Sequence, residues 1–328
     1  MTEVEKIKLL QTRICDLPEK VNGELQKCVR KVDRELRKKG ITFRPEYYVG
    51  LGWGCVNKSA SIELPFWHTS ELLRDIHDEY NYVRVETYEE VQMGLRHEVG
   101  HAVNYAYELY EDLEWRKLFG NFDKAYRDYY LFNPWSKRHV RHLPRHYAQK
   151  HPDEDWAETF AVWLTPRSNW RSVYAKTPAL EKLLYVDRKL SVLGKRETKN
   201  DKRDRDVPIG KARITVGEFY GIDFEEVANE NILATYVKDL KTIFHRNGHA
   251  RYARRDAWKF VHKYAPLVVD KVSLWVAEAD RENIWKHLHR IEGVCKTYRL
   301  RIRPGDEEEK LIELAVLLTH NIMVDGKA

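Results

Sequence analysis

The sequence is poor in cysteine and lacks any long apolar run. Its 328 residues include four cysteines, Cys15, Cys28, Cys55 and Cys295, and no two of them form a C-x-x-C pair. This spacing argues against a disulfide framework and favours free thiols in a reducing compartment. No stretch approaches the roughly 20 apolar residues of a membrane-spanning helix, and the first six residues lack the apolar segment of a secretory signal. We therefore expect a cytoplasmic protein with no membrane association.

An excess of charge of one sign is also lacking. The 57 lysines and arginines exceed the 51 aspartates and glutamates by six, so the net charge is only +6. Nucleic-acid binding needs a concentrated basic surface. The basic stretch at residues 246–263 could provide one, but a solvated amphipathic helix explains it more simply. Nucleic acid is therefore not the expected partner, and the composition gives no information about oligomeric state.

Apolar residues are abundant enough for a real core, and their distribution indicates two domains. They make up 43% of the chain, which also contains ten tryptophans. Between Lys195 and Asp206, ten of twelve residues are charged, a composition that cannot form a packed core. We therefore predict a domain at residues 1–193, a charged linker at residues 194–206 and a mostly helical domain at residues 207–328, which could bind a substrate or a partner. Short strand-like segments near residue 50 accompany the helices, so the predicted class is α+β.

The most informative pattern is the H-E-x-x-H motif at residues 97–101. On a helix, residues i and i+4 share a face, so His97 and His101 can direct their imidazoles to one metal ion. Glu98 falls beside that face, where a carboxylate can take a proton from a metal-bound water. A capping box at its start predicts one helix over residues 87–109, which places the motif in the helix interior.

A second predicted helix supplies candidates for a third ligand. Zinc in a peptidase takes three protein ligands and keeps a fourth position open for water. Pro152 opens this helix at the first-turn position, and Glu154 and Glu158 share one face because they are four residues apart. One carboxylate can bind the metal while the other hydrogen-bonds a ligand histidine. The spacing alone permits either carboxylate to take either role.

A further group of histidines could form a second metal cluster. His139, His142 and His146 are spaced by three and four residues. The neighbouring Arg138 and Arg141 would repel a cation, so we prefer to interpret this group as a solvated basic face.

Taken together, these motifs resemble those of gluzincin-type zinc-binding metallopeptidases of bacteria. The segment at residues 154–161 is also similar to the zinc-site helix of anthrax lethal factor-like endopeptidases. In those proteins a tyrosine precedes a glutamate ligand by seven residues, and a further glutamate follows it by four. Tyr147, Glu154 and Glu158 reproduce this spacing. The resemblance covers residues 45–190 and fades outside them.

The resemblance implies a zincin-like metallopeptidase domain that binds one Zn²⁺ per chain and hydrolyses the peptide bonds of a protein substrate. His97, His101 and Glu154 would be the zinc ligands. Glu98 would be the general base. Glu158 would support a ligand histidine, unless it exchanges roles with Glu154.

The resemblance also assigns an oxyanion donor and leaves a second function open. Tyr147 would donate a hydrogen bond to the oxyanion, although His146 or His151 could do so instead. Because the chain carries a general base, a zinc metalloendopeptidase is the leading hypothesis. The alternative is a metallopeptidase-like regulatory protein that binds a protein or DNA partner with little turnover.

A candidate substrate strand precedes the motif. Residues 59–64 lead into Pro65, and a strand that ends in proline is more easily placed at a sheet edge than in its centre. An extended peptide could then pair with Ser59, Ala60 and Ser61 by strand addition. We therefore predict that these residues bind the substrate backbone.

Overall fold

Helices make up most of the structure, a computed structural model that describes residues 3–18, 20–21, 23–81, 84–127, 130–221, 230–245, 255–275 and 281–325. The fold is mixed α+β, as predicted. In chain order the helices are α1 (Glu3–Leu10), α2 (Gly23–Lys38), α3 (Glu71–Tyr80), α4 (Tyr88–Ala106), α5 (Leu113–Phe119), α6 (Pro152–Leu164), α7 (Trp170–Val173), α8 (Pro178–Leu193), α9 (Val216–Phe219), α10 (Glu230–Ile243), α11 (Ala257–Trp275), α12 (Arg281–Thr297) and α13 (Glu307–Asp325). The strands are β1 (Glu46–Gly50), β2 (Gly54–Cys55), β3 (Ser61–Pro65), β4 (Arg255–Asp256) and β5 (Arg301–Ile302).

Two compact units make up the chain, each with its own apolar core. The larger unit comprises Cys15–Arg74 and Glu86–Arg213, and the smaller comprises Met1–Ile14, Asp75–Val85 and Ile214–Ala328. In the larger unit, α2, α4, α6 and α8 pack in sequence and α4 also contacts the sheet. In the smaller unit, α10 to α13 pack on one another beside the β4–β5 pair. The domain boundaries at residues 193 and 207 stay a prediction.

The charged segment predicted as a linker has mostly exposed side chains, but its backbone is hydrogen-bonded. The N–H groups of Lys199 and Asn200 donate to the carbonyl of Ala106 (2.8 and 3.1 Å), and the carbonyl of Lys202 accepts from the N–H of Ala60 (3.0 Å). These bonds attach residues 199–202 to the larger unit.

The sequence predictions about compartment and partners rest on the cysteines, the apolar runs and the basic stretch. None of the four cysteines, all within the described ranges, forms a disulfide. Over the same ranges, every helix is too short or too polar to cross a bilayer. Of the basic stretch at residues 246–263, residues 246–254 lie outside the described residues.

Helix α4 begins at the predicted capping box. The Thr87 hydroxyl accepts a hydrogen bond from the backbone N–H of Glu90 (3.3 Å), and the Glu90 carboxylate accepts one from the backbone N–H of Thr87 (2.8 Å). These bonds satisfy donors that the first turn of a helix leaves free. The helix ends at Ala106, so His97 and His101 lie in its interior.

Helix α6 begins at Pro152, as predicted, and is buried along its length. The Nδ1 atom of His151 accepts a hydrogen bond from the backbone N–H of Asp153 (3.2 Å), which caps the first turn. Every residue from Asp153 to Leu164 is buried, including the acidic residues at its start. Because buried carboxylates need partners, this acidic first turn is the least expected feature of the packed interior.

The three-stranded sheet has the order β1-β3-β2, so β3 is its central strand. It pairs in parallel with β1 and antiparallel with β2. The prediction that this strand lies at a sheet edge is therefore wrong. Pro65 is tolerated because β2 is short and extends only to the partner of Glu63, so that no ladder N–H is needed from Pro65 on that side.

The predicted substrate residues are already paired within the protein. Ser59, Ala60 and Ser61 are buried. The N–H of Ala60 donates to the carbonyl of Lys202 (3.0 Å), and the carbonyl of Ser61 accepts from the N–H of Val56 (3.1 Å). Strand addition needs free backbone groups, so Ser59, Ala60 and Ser61 do not form the substrate strand.

Helices α4 and α6 approach each other closely at a glycine inside the H-E-x-x-H motif. A Cβ atom added to Gly100 would lie 2.9 Å from the Cα atom of Ala157 and 3.2 Å from the ring of Phe160. The carbonyl of Gly100 also accepts a hydrogen bond from the indole N–H of Trp156 (2.8 Å). The missing side chain therefore allows the two helix backbones to come into contact.

We expect Gly100→Ala to lower the free energy of unfolding by about 1–3 kcal/mol, the usual cost of overpacking a tight core. The matched control is Gly94→Ala on the same helix, where an added Cβ meets nothing within 4 Å. There the change should raise stability by about 0.5–1 kcal/mol, because alanine favours the helix. Denaturant unfolding followed by tryptophan fluorescence measures both, and a Gly100→Ala protein as stable as the control would contradict the packing argument.

Candidate metal centre

Three side chains from α4 and α6 bring one potential ligand atom each to a single point. The Nε2 atoms of His97 and His101 are 3.1 Å apart. Oε2 of Glu154 lies 2.9 Å from Nε2 of His97 and 3.3 Å from Nε2 of His101. All three side chains are buried. Among the described residues, one group of histidine, cysteine and carboxylate side chains has the spacing of a metal site, and it is this one.

The spacing of these atoms fits a tetrahedral zinc ion. Bonds of about 2.0–2.1 Å to nitrogen and oxygen place tetrahedral ligand atoms roughly 3.3 Å apart, and the observed separations are 2.9, 3.1 and 3.3 Å. Two imidazoles and one carboxylate also form a donor set typical of zinc sites that keep a position open. His97, His101 and Glu154 are thus able to hold a zinc ion.

Glu158 orients His97 from the side of the ring that faces away from the three ligand atoms. Its Oε1 atom lies 3.0 Å from Nδ1 of His97. Its Oε2 atom accepts hydrogen bonds from the backbone N–H groups of His142 (3.2 Å) and Leu143 (2.8 Å). The carboxylate is completely buried. A carboxylate on Nδ1 keeps the proton there and leaves Nε2 free as a ligand atom.

Asp153 has the corresponding place beside the second histidine, and sequence reasoning missed it. Its Oδ2 atom lies 2.9 Å from Nδ1 of His101. The hydroxyl of Tyr105 donates to Oδ2 (2.5 Å), and the side-chain amide of Asn104 donates to Oδ1 (2.8 Å). An aspartate in a first helical turn is usually explained by the helix dipole. The sequence therefore offered no distinct signal for this role.

The electrostatics of the group favour a cation. Asp153, Glu154 and Glu158 are all buried, and their ion pairs are with the two histidines. Burial lowers the pKa of His97, but its contacts with Glu154 and Glu158 outweigh burial and raise the pKa to about 10. Three buried carboxylates around two imidazoles thus attract positive charge, which a divalent ion supplies.

Glu98 lines the same cavity without taking part in the ligand group. The cavity has a volume of about 490 Å³ and is bordered by His97, Glu98, Tyr126, Tyr147 and Glu154, among others. Burial raises the pKa of Glu98, although the nearby His97 and His101 act in the opposite direction. A carboxylate with a raised pKa is a stronger base than a solvated one.

Tyr147 reaches the cavity from the short segment Pro144–Gln149. Its ring centroid lies 5.5 Å from that of His97. Its hydroxyl lies 3.2 Å from the hydroxyl of Tyr126. Burial, followed by the charge of Glu154, raises the pKa of Tyr147, so its hydroxyl keeps its proton. The structure therefore brings this predicted residue to the ligand group.

The other two candidates for an oxyanion donor have different contacts. His151 accepts from the N–H of Asp153 through Nδ1, and its Nε2 lies 2.8 Å from the carbonyl of Lys124. His146 stacks on Phe132 with 4.7 Å between ring centroids. Both nitrogens of His151 are therefore engaged within the protein.

The second group of histidines does not converge within the described part of the chain. Nε2 of His142 lies 2.9 Å from the carbonyl of Met93. His139 lies 3.8 Å from Asp155, and burial lowers its pKa to about 4. His142 is half-buried rather than on the solvated face that we predicted, because its ring meets Met93 of α4 and its backbone N–H donates to Glu158 of α6.

Comparison with known proteins agrees with a metal-binding peptidase. Residues 80–188 match the model of a family described as "Putative zinc-binding metallo-peptidase". The match spans 109 of the 328 residues and includes both helices of the ligand group. No curated protein and no solved structure matches the chain.

Metal removal should lower the thermal stability of this protein. A ligand that binds only the folded state stabilises it by about 2.7 kcal/mol at a concentration 100 times its Kd. We expect a chelator to lower the melting temperature of the wild type and added Zn²⁺ to restore it. His97→Ala should remove this response, whereas His139→Ala should keep it. Calorimetry with and without the chelator provides the measurement, and a zinc response that survives in His97→Ala would refute the ligand set.

Proposed function

We propose that this chain is a zinc-dependent metalloendopeptidase of the gluzincin type, which hydrolyses peptide bonds of a protein substrate. The observation that carries the proposal is that Oε2 of Glu154 lies within 3.3 Å of the Nε2 atoms of both histidines, with Glu98 beside them in an accessible cavity. One Zn²⁺ per chain is the proposed cofactor. The predicted cytoplasmic location stays a prediction.

The ligand set of the proposal is His97, His101 and Glu154. Either carboxylate of α6 had the spacing for the third ligand, and Glu158 instead faces the Nδ1 atom of His97. We therefore assign Glu154 to the metal and Glu158 to the support of His97. Asp153 faces Nδ1 of His101 at 2.9 Å as its ion-pair partner. A zincin-like arrangement of the larger unit is part of this proposal.

The reaction divides between the ion and the side chains. Zinc, when bound, supplies Lewis acidity that lets water lose a proton near neutral pH. Glu98 accepts that proton and later delivers it to the leaving amine, and its raised pKa suits both steps. Tyr147 donates a hydrogen bond from its hydroxyl to the negative oxygen of the tetrahedral intermediate. Its position on the cavity wall, near His97, supports this role.

A different strand is now our candidate for the substrate backbone. Among the strands of the described residues, β2 pairs with β3 alone, and it lines the cavity through Gly54 and Cys55. Because Val56 donates to Ser61 on β3, alternation directs the backbone groups of Cys55 away from β3. An extended peptide can add to that edge. Methylating single backbone nitrogens of a confirmed substrate should weaken its binding at alternate positions, and a uniform or absent effect would count against this assignment.

The alternative is a metallopeptidase-like protein that binds a protein or DNA partner with little turnover. It shares the ligand set but does not need Glu98 or an open cavity. Loss of activity in such proteins requires only the loss of the general base, and this chain retains it. The presence of Glu98 beside the ligand group therefore favours the enzyme.

We expect Glu98→Gln to bind zinc as the wild type does and to lose proteolysis by a factor of about 10²–10⁴, the usual contribution of a general base. Glutamine has nearly the same shape but cannot accept the proton. A comparison of newly formed protein termini in cells that carry wild type or Glu98→Gln would reveal the substrates. Assays of the two purified proteins on the peptides identified in this way then give kcat/KM for each.

Two results decide between the enzyme and the binding protein. If Glu98→Gln retained full activity on a confirmed substrate, the proposed mechanism would be wrong. The opposite result would be identical protein termini in cells with wild type and cells with Glu98→Gln, while the zinc-loaded chain still bound a partner. The protein would then act by binding rather than by proteolysis.

Tyr147→Phe should lower kcat by a factor of about 10²–10³, as the loss of one oxyanion donor does. KM should change little, because the hydroxyl acts on charge that develops in the transition state. Steady-state kinetics separate the two constants. A variant that raised KM and left kcat intact would assign Tyr147 to substrate binding instead.

A further inference from the structure

Glu154, the proposed glutamate ligand, has a second carboxylate oxygen, Oε1, which does not face the histidines. This oxygen has a partner that the sequence did not indicate. The hydroxyl of Tyr126 lies 2.5 Å from Oε1 of Glu154, while Oε2 of the same carboxylate faces the two histidines. Tyr126 belongs to the irregular chain between α5 and α6, whereas Glu154 lies in the first turn of α6. The two oxygens of the carboxylate are thus divided between the ligand group and this phenol.

The direction of the hydrogen bonds follows from the proton count. An ionised carboxylate only accepts, so Tyr126 must donate its single proton to Glu154. The hydroxyl of Tyr126 is accordingly the donor in the 2.5 Å bond to Oε1 of Glu154. In the substrate-free protein the Tyr147 hydroxyl, 3.2 Å from that of Tyr126, is then the donor of the bond between the two phenols, and in the proposed reaction the same O–H turns to the oxyanion. The result is a chain from Tyr147 through Tyr126 to Glu154.

Several contacts hold the Tyr126 ring although the residue itself is half exposed. The ammonium of Lys150 lies 4.1 Å from the ring centroid, within the range of a cation–π contact. The ring of His151 lies 5.3 Å away, with the two planes tilted by 52°. His151 itself caps α6. The phenol is therefore attached to the same turn that carries Glu154.

A carboxylate can bind a metal through one oxygen or through both. A hydrogen-bond donor on one oxygen favours binding through the other, which leaves more of the coordination sphere to water or substrate. At this site the donor is on Oε1, and the atom that faces His97 and His101 is Oε2.

We propose that Tyr126 is a positioning residue that ties Oε1 of Glu154 and so presents Oε2 alone to the metal. This inference rests on the proposed function, because it needs zinc at His97, His101 and Glu154. It goes beyond that function by adding a residue that acts through the ligand rather than on the substrate.

The test compares Tyr126→Phe with Tyr130→Phe in the full-length protein. Tyr130 lies four residues further along the same segment, and its hydroxyl donates to the carbonyl of Arg145 (2.8 Å) rather than to a carboxylate of the ligand group. We expect Tyr126→Phe to weaken zinc binding about 10–100-fold, the usual effect of losing a partner of a ligand. Tyr130→Phe should keep the wild-type affinity. Competition with a chromophoric chelator measures the Kd of Zn²⁺ for each protein.

A spectroscopic readout separates positioning from general destabilisation. Co²⁺ bound in place of zinc has visible absorption bands that respond to the number of ligand oxygens. These bands should differ between the wild type and Tyr126→Phe, and should be the same in the wild type and Tyr130→Phe. Thermal unfolding of the metal-free proteins shows whether either change alters the fold itself.

Each outcome bears on a distinct claim. Equal zinc affinity and equal cobalt spectra in wild type and Tyr126→Phe would overturn the role of Tyr126 and leave the proposed function standing. An equal loss of affinity in Tyr130→Phe would also overturn it, because the effect would then belong to the whole segment. A wild type that binds no zinc would instead refute the proposed function.

Discussion

The contact between α4 and α6 at Gly100 is the constraint on which the rest of the site depends. Both histidines come from α4, and all the carboxylates around them except Glu98 come from α6. Glu154 reaches the histidines because the backbone of Ala157 comes within 2.9 Å of where a Cβ of Gly100 would be. The bond from Trp156 to the Gly100 carbonyl fixes the same contact from the other helix. The distance between the two helices therefore determines whether three ligand atoms meet.

That close contact has an electrostatic consequence. It buries Asp153, Glu154 and Glu158 of α6 against the histidines, so each of these carboxylates needs a partner. Asp153 and Glu158 each meet the Nδ1 atom of one histidine, and both are held by donors from the protein. The bond to Glu158 fixes the tautomer of His97, and Asp153 pairs with His101, so both Nε2 atoms face Glu154. Buried carboxylates without partners would destabilise the protein. Paired with the histidines, they hold the proposed ligand atoms in place before a metal binds.

Sequence reasoning succeeded where the signal is local and failed where it depends on distant pairing. The capping box, the histidine pair and the start of α6 follow from spacing along one helix. The edge position of residues 59–64 was wrong because strand order depends on partners elsewhere in the chain, here β1 and β2. Asp153 has no periodic signature of its own, and Tyr126 lies in irregular chain. Neither could be recognised before the helices were placed against each other.

The proposed ligands lie on helices, whereas several residues that support them lie in irregular chain. The proposed ligands and the general base lie on packed helices, whose side chains are held within a few tenths of an ångström by their neighbours. Tyr126, Tyr147 and the backbone donors to Glu158 come from residues 126–147, which are mostly irregular. Loops tolerate change better than cores. In the proposed enzyme, substitutions in residues 126–127 and 130–147 would therefore tune metal affinity and transition-state contacts while α4 and α6 keep the proposed ligand atoms in place.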